Sequence, residues 1–157
     1  MTPRGFTVSS RLNASADEVW AAVSTMRGVN FELRPLVRMT HPPGLTSLDS
    51  AVVPIGERAF RSWILLFGFL PIDYDDLTFV ALDPGRGFHE RSAMLTQRRW
   101  EHERRLEPAE NGCAITDIVS FEPRAPGIGV LLRPLFRAVF AHRHRRLRRR
   151  FGGGALT

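Results

Sequence analysis

Along residues 5–12, Phe6, Val8, Ser10 and Leu12 alternate with Thr7, Ser9 and Arg11, the period-two pattern of a strand with one buried face. Ser15-Ala16-Asp17-Glu18 follows as a capping box, in which a serine hydroxyl and a glutamate three residues on satisfy each other's backbone amides, so a helix starts there. Val19, Trp20, Val23 and Met26 recur on one face of it, and Gly28 is expected to stop it. A second short helix is expected from Val29 towards Leu36. Residues 41–56, with Pro42, Pro43, Gly44, Pro54 and Gly56, read as an irregular connection. Five strands separated by turn residues are expected next, at 58–68, 75–82, 88–95, 98–106 and 113–121, forming an antiparallel meander. Beyond Pro123, Pro126, Gly127 and Gly129, the spacing of Leu132, Leu135, Phe136, Val139, Phe140 and Leu147 predicts a long helix ending near Phe151. Pro134 lies near its start, where the first amides lack partners anyway. The reading is one domain over 1–151 with a flexible tail at 152–157.

Composition narrows the class. At 157 residues, with 43% hydrophobic and 24% charged positions, the chain has the size and mix of a single folded domain. Its longest apolar run, 63–72, carries Gly68 and Pro71 and is far shorter than the roughly 20 residues that span a bilayer. The first ten residues lack a basic segment followed by a continuous apolar stretch, so the expected location is the cytoplasm. Cys113 is the sole cysteine, which excludes an internal disulfide and a cysteine-rich zinc site. Among His41, His89, His102, His142 and His144 no pair has the three- or four-residue helical spacing that aims two imidazoles at one ion. No glycine-rich nucleotide motif is present, so neither metal nor cofactor is expected.

All 22 basic residues are arginine; eight of them and none of the 16 acids fall within 127–151, so the remainder has 14 arginines against 16 acids. The end of the long helix, with Arg145, Arg146, Arg148, Arg149 and Arg150, reads either as a solvated face or as a surface for anionic lipid or another partner. Nucleic acid is not expected, because no helix-turn-helix pair and no Asn or Gln beside the arginines would read bases.

The order of strand, two short helices, meander and long C-terminal helix is an α+β arrangement in which a curved antiparallel sheet wraps one helix. Gly28-Val29-Asn30, Glu32-Leu33, 35–39, 68–76, Phe88-His89-Glu90-Arg91-Ser92 with Met94, Trp100-Glu101-His102-Glu103-Arg104, Asp117 and 140–147 carry a resemblance over nearly the whole chain. They resemble the helix-grip superfamily (SRPBCC) that includes START lipid-transfer domains, birch-pollen-allergen-like proteins and polyketide cyclase/dehydrase-like proteins, and within it a largely uncharacterised bacterial branch. The resemblance implies a deep, mostly apolar cavity between sheet and long helix.

Strand parity indicates what lines such a cavity. Trp100, His102, Arg104 and Leu106 share one face of their strand, while the opposite face, Arg99, Glu101, Glu103 and Arg105, is uniformly charged and belongs to solvent. In the next strand Cys113, Ile115, Asp117, Val119 and Phe121 face inward. A hairpin closing with Glu107 opposite Gly112 sets His102 across from Asp117, and a slip of two residues sets Arg104 there instead; either way the carboxylate meets a cation inside. Buried polar groups are costly unless paired, which leaves two readings of Asp117 with His102 or Arg104: a structural pair pinning the register, or a polar end presented to a ligand. Glu90 shares the parity of Phe88 and Met94 and is a further cavity candidate. Asn30 and Glu32 belong at the cavity mouth or on a solvent-facing helix surface, Trp63 in the pocket or the core, and Phe136 and Phe140 against the sheet.

Three functions follow. The first is binding or transport of a hydrophobic or amphipathic small molecule, of lipid, isoprenoid or polyketide type. The second is a cyclase- or dehydratase-type enzyme in which His102, oriented by Asp117, moves a proton; no serine-centred nucleophile motif is present, so covalent catalysis is not expected. The third is an interaction protein working through the arginine-rich helix.

Overall fold

The computed structural model describes residues 4–48 and 53–156, so residues 49–52 of the expected irregular connection lie outside the described residues. The chain opens with β1 (Arg4–Leu12), α1 (Ala16–Val23), α2 (Met26–Leu33) and β2 (Val37–Met39). The meander follows as β3 (Arg58–Leu66), β4 (Leu70–Asp83), β5 (Gly87–Met94), β6 (Gln97–Ala109) and β7 (Gly112–Pro123), and the chain closes with α3 (Gly129–Phe151) and β8 (Gly153–Leu156). The eight strands form one sheet in the order β2-β3-β4-β5-β6-β7-β1-β8. This is the helix-grip α+β architecture: an antiparallel sheet with a 23-residue helix packed against it. No helix among the described residues is long and apolar enough to cross a membrane.

The capping box at Ser15 and Glu18 forms as expected, with Ser15 Oγ accepting from the Glu18 amide and the Ser15 amide donating back to the Glu18 carboxylate. The break between the first two helices does not fall where a glycine stop would put it. α1 ends at Val23, and Thr25 caps α2 by accepting from the Gly28 amide at 2.9 Å. Gly28 therefore sits inside α2, where a Cβ would meet the Ala22 carbonyl oxygen at 1.8 Å, so its role is close packing of two helices. α2 ends at Leu33, and the chain then enters β2, a short edge strand that the expected helix towards Leu36 overran.

β6 and β7 close through Glu110 and Asn111, with Ala109 opposite Gly112. Asn111 adopts φ 61°, a left-handed turn conformation that asparagine tolerates. This register sets Arg104 opposite Asp117 and His102 opposite Val119, so the Glu107–Gly112 closure is replaced by the two-residue slip. Gly153–Leu156, expected as part of a flexible tail, pairs instead with β1.

Three apolar clusters fill the concave side. Leu12, Val19, Trp20, Val23, Leu106 and Leu147 join α1 to the sheet and to the end of α3. Phe6, Met94, Trp100, Val119, Phe121 and Phe140 lie under the middle of α3, and Met26, Phe60, Leu77 and Phe79 lie under α2. At about 25 cal/mol per Å² of apolar surface, such burial dominates the stability of a domain this size.

Candidate functional site

Between the first and second clusters the sheet carries charge into the interior. Arg104 on β6 donates to both Asp117 oxygens, from Nε at 2.7 Å and Nη2 at 2.7 Å. Its Nη1 and Nη2 also reach the two oxygens of Glu32 on α2, at 3.0 and 2.8 Å. Glu32 in turn accepts from Nε of Arg143 on α3 at 3.2 Å. Asp117 accepts further from Nε2 of His102 and Nε2 of His144, each at 2.8 Å. Behind His144, Ser10 Oγ lies 2.8 Å from its Nδ1 and accepts from Arg148 at 2.8 Å.

The charges balance, two carboxylates against two guanidinium groups. Burial pushes the Glu32 carboxyl up, but Arg104 and Arg143 outweigh it and hold it below the usual carboxylate range. Burial likewise opposes Asp117, and Arg104 followed by His102 brings it well below that range. Arg104 holds its proton more firmly than a free arginine, since burial is overcome by Asp117 and Glu32. The network ties α2, β6, β7 and α3 together, and in it the Asp117 carboxylate meets a cation inside, as strand parity anticipated.

In front of this network lies a cavity of about 350 Å³ between the sheet and α3. Its walls are largely apolar: Leu33, Met39, Ile64, Met94, Trp100, Phe136 and Phe140 contribute, and the exposed Phe67, Ile72 and Leu135 stand at its rim. Asp73, Asp75, Glu90, His102 and Arg143 add a polar end. A smaller lobe of about 70 Å³ beneath α2 shares Met39, Glu90, His102 and Arg143 with the main cavity, so the polar end stands where the two lobes meet. The His102 ring is held edge-on between Phe88 and Phe140, at 5.1 and 4.9 Å between centroids. Its Nε2 is fixed by Asp117, and its Nδ1 lies 3.9 Å from Glu90 Oε2.

Glu90 Oε1 accepts from Ser92 Oγ at 2.8 Å, and the Asp75 carboxyl lies against both Glu90 and Ser92. Burial first and the Glu90 charge next push Asp75 well above the usual carboxylate range, as expected for two carboxyls in one dry site. Asp75 is 3% exposed, and its Oδ1 has no hydrogen-bond partner among the described residues. Asp73 is satisfied by the amides of Tyr74 and Thr96 and by the Thr96 hydroxyl. Among the described residues no group of three or more His, Cys, Asp or Glu side chains is arranged to hold a metal ion.

The structure sorts the expected site residues. Trp100, His102, Glu90, Phe136 and Phe140 line the cavity. Arg104 and Asp117 do not; they stand one layer behind, locked to each other. Trp63 is 43% exposed on the opposite face of β3, edge-on to Tyr74, because Phe60, Ser62 and Ile64 take the inward positions. Asn30 leaves the mouth empty-handed as well: its side chain bonds the amide and carbonyl of Met39, which ties α2 to β2. Glu32 is fully buried at the centre of the network.

The arginine-rich end of α3 divides. Arg143 is inside, Arg146 donates to the Phe31 carbonyl at 3.0 Å and stacks on its ring, and Arg148 is held by Ser10. Arg145, Arg149 and Arg150 are exposed, with Arg150 lying over the rings of Phe31 and Phe151. Asp73, Asp75, Arg143 and His144 were not singled out as site residues, although each lies in phase with apolar neighbours on its own element.

Residues 10–151 match a family described as a domain of unknown function (DUF8410), and the chain belongs to that family. No curated protein matches it. Among solved structures it is similar to protein CV1439 from Chromobacterium violaceum, at 13% identity and a TM-score of 0.67, covering 96% of this chain and 99% of that one. A START superfamily protein from Mycobacterium smegmatis aligns at 11% identity and a TM-score of 0.60, over 94% of this chain and 96% of that one. Ara h 8.0201 aligns at 11% identity and a TM-score of 0.59, over 93% and 98%. The fold is thus the helix grip shared by START-like and birch-pollen-allergen-like proteins.

Proposed function

We propose that this DUF8410 chain binds a small molecule with a large apolar body in the cavity between the sheet and α3. The observation that carries the reading is a cavity of about 350 Å³, walled by aliphatic and aromatic side chains and closed at one end by Asp75, Glu90 and His102. That volume is within the roughly 300–1,000 Å³ range of small-molecule sites, and few, clustered polar groups among apolar walls are what orients a ligand in them. The solved START superfamily and Ara h 8.0201 folds support the architecture. The arginine-rich end of α3 favours this reading over a surface-only role, because Arg143, Arg146 and Arg148 are spent on holding α3 in place.

The direct test is a fluorescence titration with the neutral apolar dye N-phenyl-1-naphthylamine. One dye per protein is expected to bind, with a blue-shifted emission, and Val139→Trp, which fills the cavity from α3, is expected to abolish binding while leaving the fold intact. Unchanged dye binding in that variant would place the dye elsewhere and sink the reading.

A second reading, proton-transfer catalysis of cyclase or dehydratase type, is favoured by one geometry. His102 is oriented through Nε2 by an ionised Asp117 and keeps Nδ1 on the cavity side, near Glu90. In that case His102→Gln loses turnover of a bound ligand while retaining its affinity. A carrier shows no turnover in either protein.

A further inference from the structure

The interior charges of this protein are not evenly settled. Behind the cavity, Glu32 and Asp117 are matched by Arg104 and Arg143. At the cavity wall, Asp73, Asp75 and Glu90 are all buried, and none forms an ion pair with an arginine among the described residues. The one arginine of that wall, Arg143, gives its Nε to Glu32 and lies over the Phe140 ring at 4.9 Å. The one imidazole, His102, is engaged by Asp117 and stands 3.9 Å from Glu90. Asp73 is satisfied by three donors, and Glu90 Oε1 by Ser92. Asp75 Oδ1, by contrast, is a buried acceptor on the cavity wall with no hydrogen-bond partner among the described residues. Buried acceptors are seldom left unmatched, and an unmatched one beside a second carboxyl in a ligand-sized space asks for a donor brought from outside.

We propose that the molecule taken by the cavity carries a protonated amine, whose N–H groups are received by Asp75 Oδ1 and Glu90 while its apolar body lies between Trp100, Phe136 and Phe140. This rests on the cavity-binding reading above and narrows its ligand to cationic amphiphiles.

The electrostatics favour that head group over the alternatives. Two carboxyls crowded in a dry site repel each other, which with burial raises Asp75 well above the usual carboxylate range, and a cation between them relieves that repulsion. An ammonium group brings both that charge and the N–H donors that Asp75 Oδ1 lacks among the described residues. A neutral alcohol supplies one donor but no charge, and a carboxylate meets three carboxyls against the single guanidinium of Arg143, which Glu32 already engages through Nε. The chain as a whole has a formal net charge of +6, which draws anions, not cations, to its surface. A preference for an amine therefore has to come from the site.

The test is displacement of N-phenyl-1-naphthylamine by three ligands of equal chain length, decylamine, decan-1-ol and decanoate, at pH 7.5. Decylamine is expected to displace the dye at about a tenth of the decan-1-ol concentration, since a charge-assisted bond is roughly twice as strong as a neutral one, and decanoate is expected to be weakest. Asp75→Asn and Glu90→Gln, each a near-isosteric removal of a buried charge, are expected to erase the advantage of amine over alcohol. Glu101→Gln on the outer face of β6 is expected to keep it. Dye that binds but yields to decanoate or decan-1-ol as readily as to decylamine overturns the head-group assignment alone, as does an amine advantage that survives Asp75→Asn. Failure of the dye and all three ligands to bind overturns the cavity reading and this one with it.

Discussion

Replacing Glu32 with glutamine removes one negative charge from the centre of the buried network while keeping the side-chain shape. In the native protein Glu32 receives Arg104 at 3.0 and 2.8 Å and Arg143 at 3.2 Å, all out of water. After substitution Arg104 keeps its two bonds to Asp117, but Arg143 has no carboxylate partner among the described residues. Breaking one side of a buried ion pair costs about 3–5 kcal/mol, and the amide oxygen that glutamine retains puts the expected loss near the lower figure, about 3 kcal/mol. For a domain of this length that lowers the melting temperature by about 6–12 °C, at roughly 2–4 °C per kcal/mol. The loss is a large share of a total stability of about 5–15 kcal/mol. The assay is thermal unfolding followed by circular dichroism at pH 7, repeated at falling pH. Glu32 has a folded pKa below its unfolded value, so its contribution is present above the unfolded value and fades as pH falls through the folded one. The gap between the two proteins is therefore widest at neutral pH and closes in acid. A variant melting within 2 °C of the native protein at pH 7, or a gap that widens in acid, would refute the reasoning, taking a real difference as more than about 1 kcal/mol.

The opposite sign is expected at Asp75, whose folded pKa is raised by burial and by Glu90, so that its titration works against the fold as pH rises above the unfolded value. Asp75→Asn is expected to raise the melting temperature at pH 7 by about 2–4 °C, on the order of 1 kcal/mol, and to show no gain at pH 3, as measured by calorimetry. Phe140→Ala removes a ring that packs on Phe6, Trp100 and His102, and a loss of about 3 kcal/mol is expected by urea denaturation, together with an enlarged cavity that accepts a bulkier dye. Gly28→Ala drives a Cβ to 1.8 Å from the Ala22 carbonyl oxygen, so α2 is expected to shift and the protein to lose more than about 1 kcal/mol; an unchanged midpoint would show that the helices part without strain.

Much of the sheet was legible because period-two alternation depends only on the strand's own residues. It placed Trp100, His102, Arg104 and Asp117 inside, and all four are buried. Which of them meet was less legible, since a two-residue slip leaves every side chain on the same face; the Glu110-Asn111 turn decided it. Trp63 was misplaced although its neighbours Phe60, Ser62 and Ile64 already claim the inner face. Asp73 and Asp75 carried the same signal, sharing the parity of Leu77 and Phe79, and charge at those positions disguised it. The network partners Glu32, Arg143 and His144 lie on helices whose rotation against the sheet is set by packing, which no single segment encodes. The hint was present in α3, where Phe136, Phe140, Arg143, His144 and Leu147 follow one stripe that continues into an arginine run.

Native mass spectrometry of the protein taken directly from its producing cells tests the central claim most directly. A cavity of this size and lining predicts a stoichiometric, non-covalent small molecule that dissociates on activation and is missing from Val139→Trp. Bare protein in both cases, with no mass gained on incubation with decylamine or N-phenyl-1-naphthylamine, would contradict it.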